Sequence, residues 1–291
     1  MSVADIEEAV SKVSTSASPS VVGIGSRWGA GSGVVIGEGK ILTNAHNLRS
    51  EKVTVTFNDG RTAEAVVAGA DFDEDIAVVK ADTSGASPID WTTNGATGAG
   101  KAVFALSNPG GKGLRISFGL VSGVDRSFRG PRGRRIGGGV EHTAALLPGS
   151  SGGPLVNAQG KLIGINTHRL GEGFYLAIPA TEALKTKVDA LSRGEAPSRP
   201  RLGIGVAPPE VAKGLRRAVG LPEADGLLVR QVEEGSPAEK AGIQEGDLIT
   251  ALGGKAISDV DALHEALASA SGEIELKVLR GTQERTVKAS I

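Results

Sequence analysis

The chain has 291 residues, which favours two domains, and its 40% hydrophobic and 22% charged residues argue against wholesale disorder. A formal net charge of −1 removes the usual electrostatic reason to expect a nucleic-acid partner or a polybasic membrane anchor. The absence of cysteine excludes a disulfide scaffold and a cysteine nucleophile, and no apolar stretch reaches the roughly 18 residues of a membrane span.

Residues 1–19 are predicted to form a short amphipathic helix followed by a Ser/Thr-rich linker. This acidic start has no apolar signal core, which fits either a cytoplasmic protein or a chain whose leader was removed. Residues 20–192 then contain short apolar runs separated by turns that use many of the 43 glycines. Because no ordinary helix interrupts these runs before residue 179, we expect antiparallel strands in a barrel or sandwich, or in two barrels.

The first clear helix pattern covers residues 179–191 and is followed by a proline-containing linker at residues 193–200. Residues 201–291 alternate between strand and helix patterns and predict a small second domain of α/β type. The expected organisation is therefore an N-terminal helix and linker, a β-rich domain over residues 20–192, the linker, and the second domain.

The sharpest local signal is the Gly-Ser-Ser-Gly-Gly-Pro segment at residues 149–154. A serine hydroxyl attacks poorly unless a base removes its proton, and the oxyanion that develops needs donors already in place. Glycines around Ser151 allow the backbone to bend so that the amides of Gly149 and Ser151 converge on one point. Alone, this segment would be read as a glycine-serine turn.

Two further segments supply the missing partners for a nucleophilic serine. His46 ends an apolar strand pattern, and Asp75 begins another. The chain order His46, Asp75, Ser151 is that of chymotrypsin-type triads. Residues 149–153 also match the Gly-x-Ser-x-Gly elbow of α/β-hydrolases, but that elbow requires a following helix and a histidine that comes last.

With these segments in view, the chain resembles the HtrA (Deg) family of trypsin-like serine proteases with one C-terminal PDZ domain. The segments that carry the resemblance in the first domain are residues 31–37, 42–46, 75–79, 148–157, 164–167 and 176–179. The resemblance implies a chymotrypsin-like double β-barrel with the active site between the barrels. It also implies an ATP-independent endopeptidase for unfolded or misfolded proteins, assembly as a homotrimer or higher oligomer, and work in the periplasm or cell envelope.

The family's roles carry over to matching positions of this sequence. His46 would act as general base and acid, Asp75 would orient the imidazole, and Ser151 would attack the substrate. The oxyanion hole would comprise Gly149, Ser150 and Ser151, although Ser150 stands where the family usually has asparagine. Residues 142–147 also depart from the family's usual approach to the nucleophile.

Ala145 lies six residues before Ser151, at the position that lines the base of the primary specificity pocket in this protease fold. With no acid there, we expect the pocket to accept small or medium aliphatic side chains rather than Lys or Arg.

Residues 126–135 contain five arginines in ten residues. They could form an anion-binding patch or a solvated flexible loop. The resemblance adds a third interpretation, a regulatory loop that signals from the PDZ domain to the oxyanion loop, with Arg126 at the matching arginine.

The second domain begins with a segment similar to the carboxylate-binding loop and pairing strand of PDZ domains, at Arg201, Leu202, Gly203 and Ile204. The predicted helix from residue 259 would offer Val260 and Leu263, with Leu267, to the opposite wall of a groove for peptide C-termini. Such a groove would also bind the tails of regulatory peptides.

No cofactor or metal is expected. The glycines near residue 31 do not complete a dinucleotide motif, and the histidines outside the candidate triad lack ligand spacing. The alternative to a protease is a catalytically silent scaffold or chaperone that retains the fold and binds peptides.

Overall fold

Antiparallel strands closed into two barrels form most of the first of two units into which the chain divides, Met1–Pro197 and Ser198–Ile291. The computed structural model describes residues 3–25, 31–91, 97–130, 134–195 and 200–291. The strands of the first barrel are β1 (Val21–Ile24), β2 (Gly31–Gly37), β3 (Lys40–Thr43), β4 (Lys52–Thr56), β5 (Thr62–Asp71) and β6 (Ile76–Lys80). They close in the order β1-β2-β3-β6-β5-β4.

The second barrel has the same number of strands and a matching connection pattern. Its strands are β7 (Ala102–Ser107), β8 (Arg115–Arg129), β9 (Arg135–His142), β10 (Pro154–Val156), β11 (Leu162–Gly171) and β12 (Phe174–Pro179). They close in the order β10-β11-β12-β9-β8-β7, and every pairing in both barrels is antiparallel. The mainly β, chymotrypsin-like double barrel is thereby confirmed.

Alternation along the strands explains how each barrel obtains its interior. In β4, Val53 and Val55 are buried while Lys52 and Thr54 face solvent, because successive side chains of a strand point to opposite faces. Strand β6 is instead buried at every position before Lys80, since one of its faces fills the first barrel and the other meets the second.

A shared apolar core joins the two barrels. Leu42 of the first barrel and Phe104 of the second belong to this core, as do side chains from the helices α1 (Val3–Ala17) and α2 (Glu182–Ser192). The Ser/Thr-rich stretch expected to be a linker is therefore the end of α1. Val13 and Ala17 are fully buried there, and this packing outweighs the weak helix propensity of serine and threonine.

The described part of the arginine-rich segment at residues 126–135 lies mainly in strands rather than in the solvated loop that one interpretation predicted. Arg126 and Arg129 lie within β8, and β8 pairs with β9 as far as Arg129 and Arg135. A solvated flexible loop is therefore wrong for the described part of this segment, because main-chain hydrogen bonds continue the hairpin almost to its tip.

The second unit is an antiparallel sheet with helices. Its strands are β13 (Ile204–Ala207), β14 (Leu227–Val232), β15 (Leu248–Leu252), β16 (Lys255–Ala256), β17 (Glu273–Arg280) and β18 (Gln283–Ser290), and its helices are α3 (Pro209–Ala218), α4 (Pro237–Lys240) and α5 (Val260–Ala268). The sheet order is β13-β14-β15-β17-β18, with β16 beside β15, so β13 is an edge strand. The Ser236 hydroxyl accepts from the Glu239 amide and caps α4.

A fully buried histidine lies in the interior of the second barrel. The His142 ring stacks on the Tyr175 ring with centroids 5.9 Å apart. Burial lowers the pKa of His142 to about 4, and the nearby Asn166 side chain and Ala144 backbone oppose this shift only in part. The folded protein therefore holds His142 neutral at pH values where an unfolded chain would bind a proton.

We expect His142→Phe to remove part of the acid sensitivity of folding. Between the unfolded pKa of 6.5 and the folded pKa of about 4, the unfolded state binds more protons, so stability falls as the pH falls. From about pH 7.5 to about pH 4.5, the wild type should lose about 2 to 3 kcal/mol more unfolding free energy than the variant. Urea unfolding at both pH values measures this difference, and equal losses would contradict it.

Candidate active site

The turn between β5 and β6 places Asp75 in an unusual backbone conformation. Its φ of 57° lies in the left-handed region, where a non-glycine residue typically costs about 1–3 kcal/mol. The conformation is held because the Asn44 side-chain amide donates to the Asp75 carbonyl oxygen at 2.8 Å. Such strain needs surrounding structure that over-determines it, and Asn44 is part of that structure.

The Asp75 carboxylate is almost completely buried and receives three kinds of donor. The His46 Nδ1 atom lies 2.8 Å from Oδ2 and 2.9 Å from Oδ1, and the His46 backbone amide donates to Oδ1 at 3.0 Å. The Thr167 hydroxyl donates to Oδ2 at 2.7 Å. These bonds fix the plane of the carboxylate and, with it, the orientation of the imidazole.

His46 lies on a short 3₁₀ turn, Ala45–Asn47, that follows strand β3 of the first barrel. Its Nδ1 atom is held by the buried Asp75 carboxylate. Its side chain is 35% exposed, so the imidazole is also partly open to solvent. This is the arrangement that a general base requires, because one nitrogen is oriented and the other remains available.

Ser151 lies on the second barrel and reaches the pair through Thr167. The Ser151 hydroxyl donates to the Thr167 carbonyl oxygen at 3.1 Å, while the Thr167 hydroxyl bonds to Asp75. No hydrogen bond joins Ser151 Oγ to His46 Nε2 among the described residues. The structure therefore brings His46 and Asp75 into direct contact and connects Ser151 to them through one residue that the sequence analysis assigned no role.

The main chain before Ser151 forms a tight turn. The Ser150 amide donates to the Leu147 carbonyl at 3.0 Å, Pro148 occupies the second position, and Gly149 has φ of 87° in the third. These features define a type II turn, which demands a glycine at this place. Within the described ranges, the amides of Gly149 and Ser151 donate to no acceptor, whereas Ser150 is buried and its hydroxyl bonds to that of Ser107.

The first barrel approaches this turn so closely that only glycine fits. Gly152 has φ of 86°, and a Cβ atom there would lie 2.2 Å from the Ser32 carbonyl oxygen. The Ser32 amide and the Asn47 side-chain amide both donate to the Ser151 carbonyl at 2.9 Å. Sequence reasoning missed Ser32 and Asn47 as residues of the site, although Ser32 lies within the 31–37 segment that it used and Asn47 directly follows the 42–46 segment.

Two basic side chains form ion pairs with the turn that carries Asp75. Lys187 of α2 lies 3.3 Å from the Asp71 carboxylate and also pairs with Glu74, and Arg134 lies 3.5 Å from Asp73. Arg134 belongs to the arginine-rich segment, so that segment contacts the Asp75 turn. Arg126, the residue singled out from the sequence, instead pairs with Glu141 on the neighbouring strand.

The candidate specificity residue lies at an exposed position, two residues before the tight turn at residues 147–150. Ala145 is exposed, and its carbonyl oxygen accepts from the Ser117 hydroxyl at 2.6 Å. A methyl side chain at this position offers no charge to a substrate side chain that comes near it.

In the second unit, the predicted peptide-binding residues differ in burial and in their contacts. Leu202 and Leu263 are buried core residues, whereas Ile204 and Val260 are partly exposed against the same core. Gly203 has φ of 74°, and a Cβ there would collide with Ser236. Arg201 is exposed and pairs with Glu233.

The loop before β13 has free donors. The amides of Leu202 and Gly203 donate to no acceptor among the described residues. In the same described ranges, no cluster of three or more His, Cys, Asp or Glu side chains could hold a metal ion. The first unit thus offers a histidine–carboxylate pair and a nearby serine. The second unit offers an open strand edge at β13, and the loop before this strand carries the two amides without an acceptor.

The fold and these groups define a trypsin-like peptidase joined to a PDZ domain. Comparison with known families agrees, because the Trypsin-like peptidase domain family matches residues 31–165 and the PDZ domain family matches residues 228–280. Among curated proteins, the chain is 36% identical over 273 residues to the Putative serine protease HhoA of Synechocystis, covering 87% of this chain and 68% of that protein.

Other relatives carry similar names. The chain is 32% identical to the Serine protease Do-like HtrA of Bacillus subtilis, covering 90% of this chain and 63% of that protein. It is 35% identical to the Probable periplasmic serine endoprotease DegP-like of Rhizobium meliloti, covering 90% of this chain and 53% of that protein. The chain belongs to the HtrA family of serine proteases, and it spans between about half and two thirds of the length of these curated relatives.

Solved structures give the same result at the level of the fold. The HtrA-type protease AlgW with decapeptide superposes with a TM-score of 0.71 at 27% identity, covering 96% of this chain and 97% of that one. The serine endoprotease from Yersinia pestis superposes with a TM-score of 0.70 at 30% identity, covering 96% of each chain.

Proposed function

We propose that this chain is an ATP-independent serine endopeptidase that cleaves unfolded or misfolded proteins through a Ser-His-Asp acyl-enzyme mechanism. The observation that carries the proposal is the buried Asp75 carboxylate, which orients His46 and is bridged by Thr167 to Ser151. Family membership supports the same reaction. For the reaction, the Ser151 hydroxyl would donate to the imidazole of His46 instead of to the Thr167 carbonyl.

In this mechanism Ser151 Oγ attacks the substrate carbonyl carbon while His46 takes its proton, and Asp75 stabilises the resulting imidazolium. The negative charge that forms on the carbonyl oxygen would be stabilised by the Gly149 and Ser151 amides. The leaving amine then takes the proton from His46, and a water molecule repeats the sequence to release the acid and restore the serine. Only groups of the protein and water take part, so neither ATP nor a cofactor is required.

We expect a fluorophosphonate probe to label the wild type, because it reacts with activated serines. Ser151→Ala should abolish labelling, and Asp75→Asn should lower kcat on an unfolded protein substrate by about 10⁴-fold, since the imidazole then loses its oriented tautomer. Gel fluorescence and initial rates measure both effects. Ser150→Ala serves as the neighbouring control and should still be labelled.

The second candidate function is a catalytically silent scaffold or chaperone that binds peptides. The observation that favours it is the Ser151 hydroxyl, which bonds to a main-chain carbonyl rather than to His46. A wild type that remains unlabelled both alone and with peptides carrying free C-termini would support this candidate and exclude the protease.

We also propose that Ala145 makes the primary specificity pocket suited to small or medium aliphatic side chains. An uncharged methyl group there gives no counterion for a buried Lys or Arg, whose desolvation would then be uncompensated.

We expect cleavage after Val, Ala or Leu in denatured protein substrates. Ala145→Asp should shift cleavage toward Lys and Arg by supplying the missing negative charge, with a discrimination of at least about tenfold. Mass spectrometry of the products maps the sites. Wild-type cleavage dominated by basic residues would refute the assignment.

The PDZ domain is proposed to bind peptide C-termini and to regulate the protease. The edge strand β13 can accept an added peptide strand, and the unused amides of Leu202 and Gly203 can bind a terminal carboxylate. Ile204 and Val260, which are partly exposed over the core, would contact the last side chains of the peptide.

We expect peptides with a free C-terminal carboxylate to bind at least about tenfold more tightly than the same peptides with a C-terminal amide, because amidation removes the charge that the loop receives. Fluorescence anisotropy measures this. If Arg126 transmits the signal, Arg126→Ala should abolish stimulation of proteolysis by the free-carboxylate peptide. Stimulation that persists in this variant would remove Arg126 from the regulatory proposal.

Assembly and location are proposed from the relatives alone. Relatives named periplasmic endoproteases support work in the periplasm or cell envelope, and a homotrimer or higher oligomer is the expected assembly. In the described ranges, every helix is too short or too polar to cross a bilayer.

A further inference from the structure

We infer that Ser32 is a positioning residue for the reaction, because its hydroxyl fixes the turn at residues 147–150 against the barrel that carries His46 and Asp75. This turn is called the oxyanion turn here because it carries the proposed oxyanion donor Gly149. This inference rests on the proposed protease function. Ser32 lies on β2 of the first barrel, is fully buried, and touches the main chain on both sides of Ser150. No motif-based reasoning assigned it a role.

The Ser32 hydroxyl accepts one hydrogen bond and donates another. The Asn108 amide donates to Ser32 Oγ at 3.0 Å, so the hydroxyl oxygen accepts this hydrogen bond. The single hydroxyl proton is donated to the Gly149 carbonyl oxygen at 2.8 Å. Asn108 is itself anchored, since its side-chain oxygen accepts from the Gly113 amide at 2.9 Å.

The backbone of Ser32 also holds the main chain of the proposed nucleophile, Ser151. The Ser32 amide donates to the Ser151 carbonyl at 2.9 Å, so Ser32 binds the carbonyls of Gly149 and Ser151 at once. Those two residues are the ones whose amides are the proposed oxyanion donors. With both of their carbonyls fixed, the turn cannot move relative to the first barrel without breaking a buried hydrogen bond.

The turn sets the direction of its own central amide but not its position relative to His46. The positive φ of Gly149 selects type II geometry and so fixes the direction in which the Gly149 amide points within the turn. The internal bond from the Ser150 amide to the Leu147 carbonyl joins two residues of the turn and cannot fix the turn against the first barrel. Contacts from outside must do so, and the Ser32 hydroxyl is the side-chain donor that reaches the Gly149 carbonyl, which belongs to the peptide after the central one.

The consequence is specific to the transition state. A displaced oxyanion donor weakens stabilisation of the charge that appears only during the reaction, so kcat falls while substrate binding changes little. Misplacement of a catalytic group by about 1 Å can cost about 10²-fold in rate.

The test compares Ser32→Ala with Ser20→Ala as a matched control. Ser20 is also fully buried, and its hydroxyl also donates to a backbone carbonyl, that of Ser87 at 2.6 Å, away from the oxyanion turn. We expect Ser32→Ala to lower kcat by about 10- to 100-fold with KM within about twofold. Affinity for a peptide boronate, which forms a tetrahedral adduct with the serine, should fall by a similar factor. Ser20→Ala should change only the urea midpoint.

Folded Ser32→Ala with kcat and boronate affinity within about twofold of the wild type would overturn the inference, as would an equal kcat loss in Ser20→Ala. If Ser32→Ala fails to fold, Ser32→Cys decides. Cysteine has a similar shape to serine, but its thiol is a weaker hydrogen-bond donor than the hydroxyl. A kcat below that of the wild type at constant KM therefore supports the role, and a kcat equal to that of the wild type overturns it. An unlabelled, inactive wild type would instead overturn the proposed function together with this inference.

Discussion

Hydrogen bonds that pass from the first barrel to the main chain around Ser151 are the constraint on which the candidate site depends. The histidine and the aspartate belong to one barrel and the serine to the other, so their separation is set by how the barrels meet. The apolar core between the barrels supplies most of the free energy that holds them together, but the hydrophobic effect is non-directional. The hydrogen bonds from Ser32 and Asn47 fix the relative position of the two barrels at the site, because a hydrogen bond weakens steeply when its geometry is wrong.

Backbone strain and close approach are concentrated at the same place. Asp75 holds a left-handed conformation, and Gly149 and Gly152 adopt positive φ in a space that a Cβ atom at Gly152 could not enter. The buried hydrogen bonds to the Asp75 carbonyl and carboxylate offset the cost of its strain. Strain that persists beside a serine and a histidine is expected where geometry serves a reaction, since such conformations cluster at active sites.

The arginine-rich segment makes a contact that the sequence analysis did not predict. Arg134 pairs with Asp73, two residues before Asp75, whereas Arg126 pairs with Glu141 on the neighbouring strand of the second barrel. The segment therefore contacts the turn that carries the acid of the candidate triad. Both pairs are partly exposed and so contribute modestly to stability, but the Arg134–Asp73 pair restricts where the turn can lie.

The sequence by itself determined that the first domain consists of many short antiparallel strands, that a second domain follows, and that His46, Asp75 and Ser151 are the candidate catalytic residues, because alternation, glycine turns and short motifs are local properties of the chain. It misread the end of α1 as a linker and assigned no role to Ser32, Asn47 or Thr167. Those outcomes were decided only by tertiary structure, since each depends on a partner from a distant segment. Serine and threonine carry no local sign of whether their hydroxyl will meet solvent, a helix carbonyl or a catalytic turn.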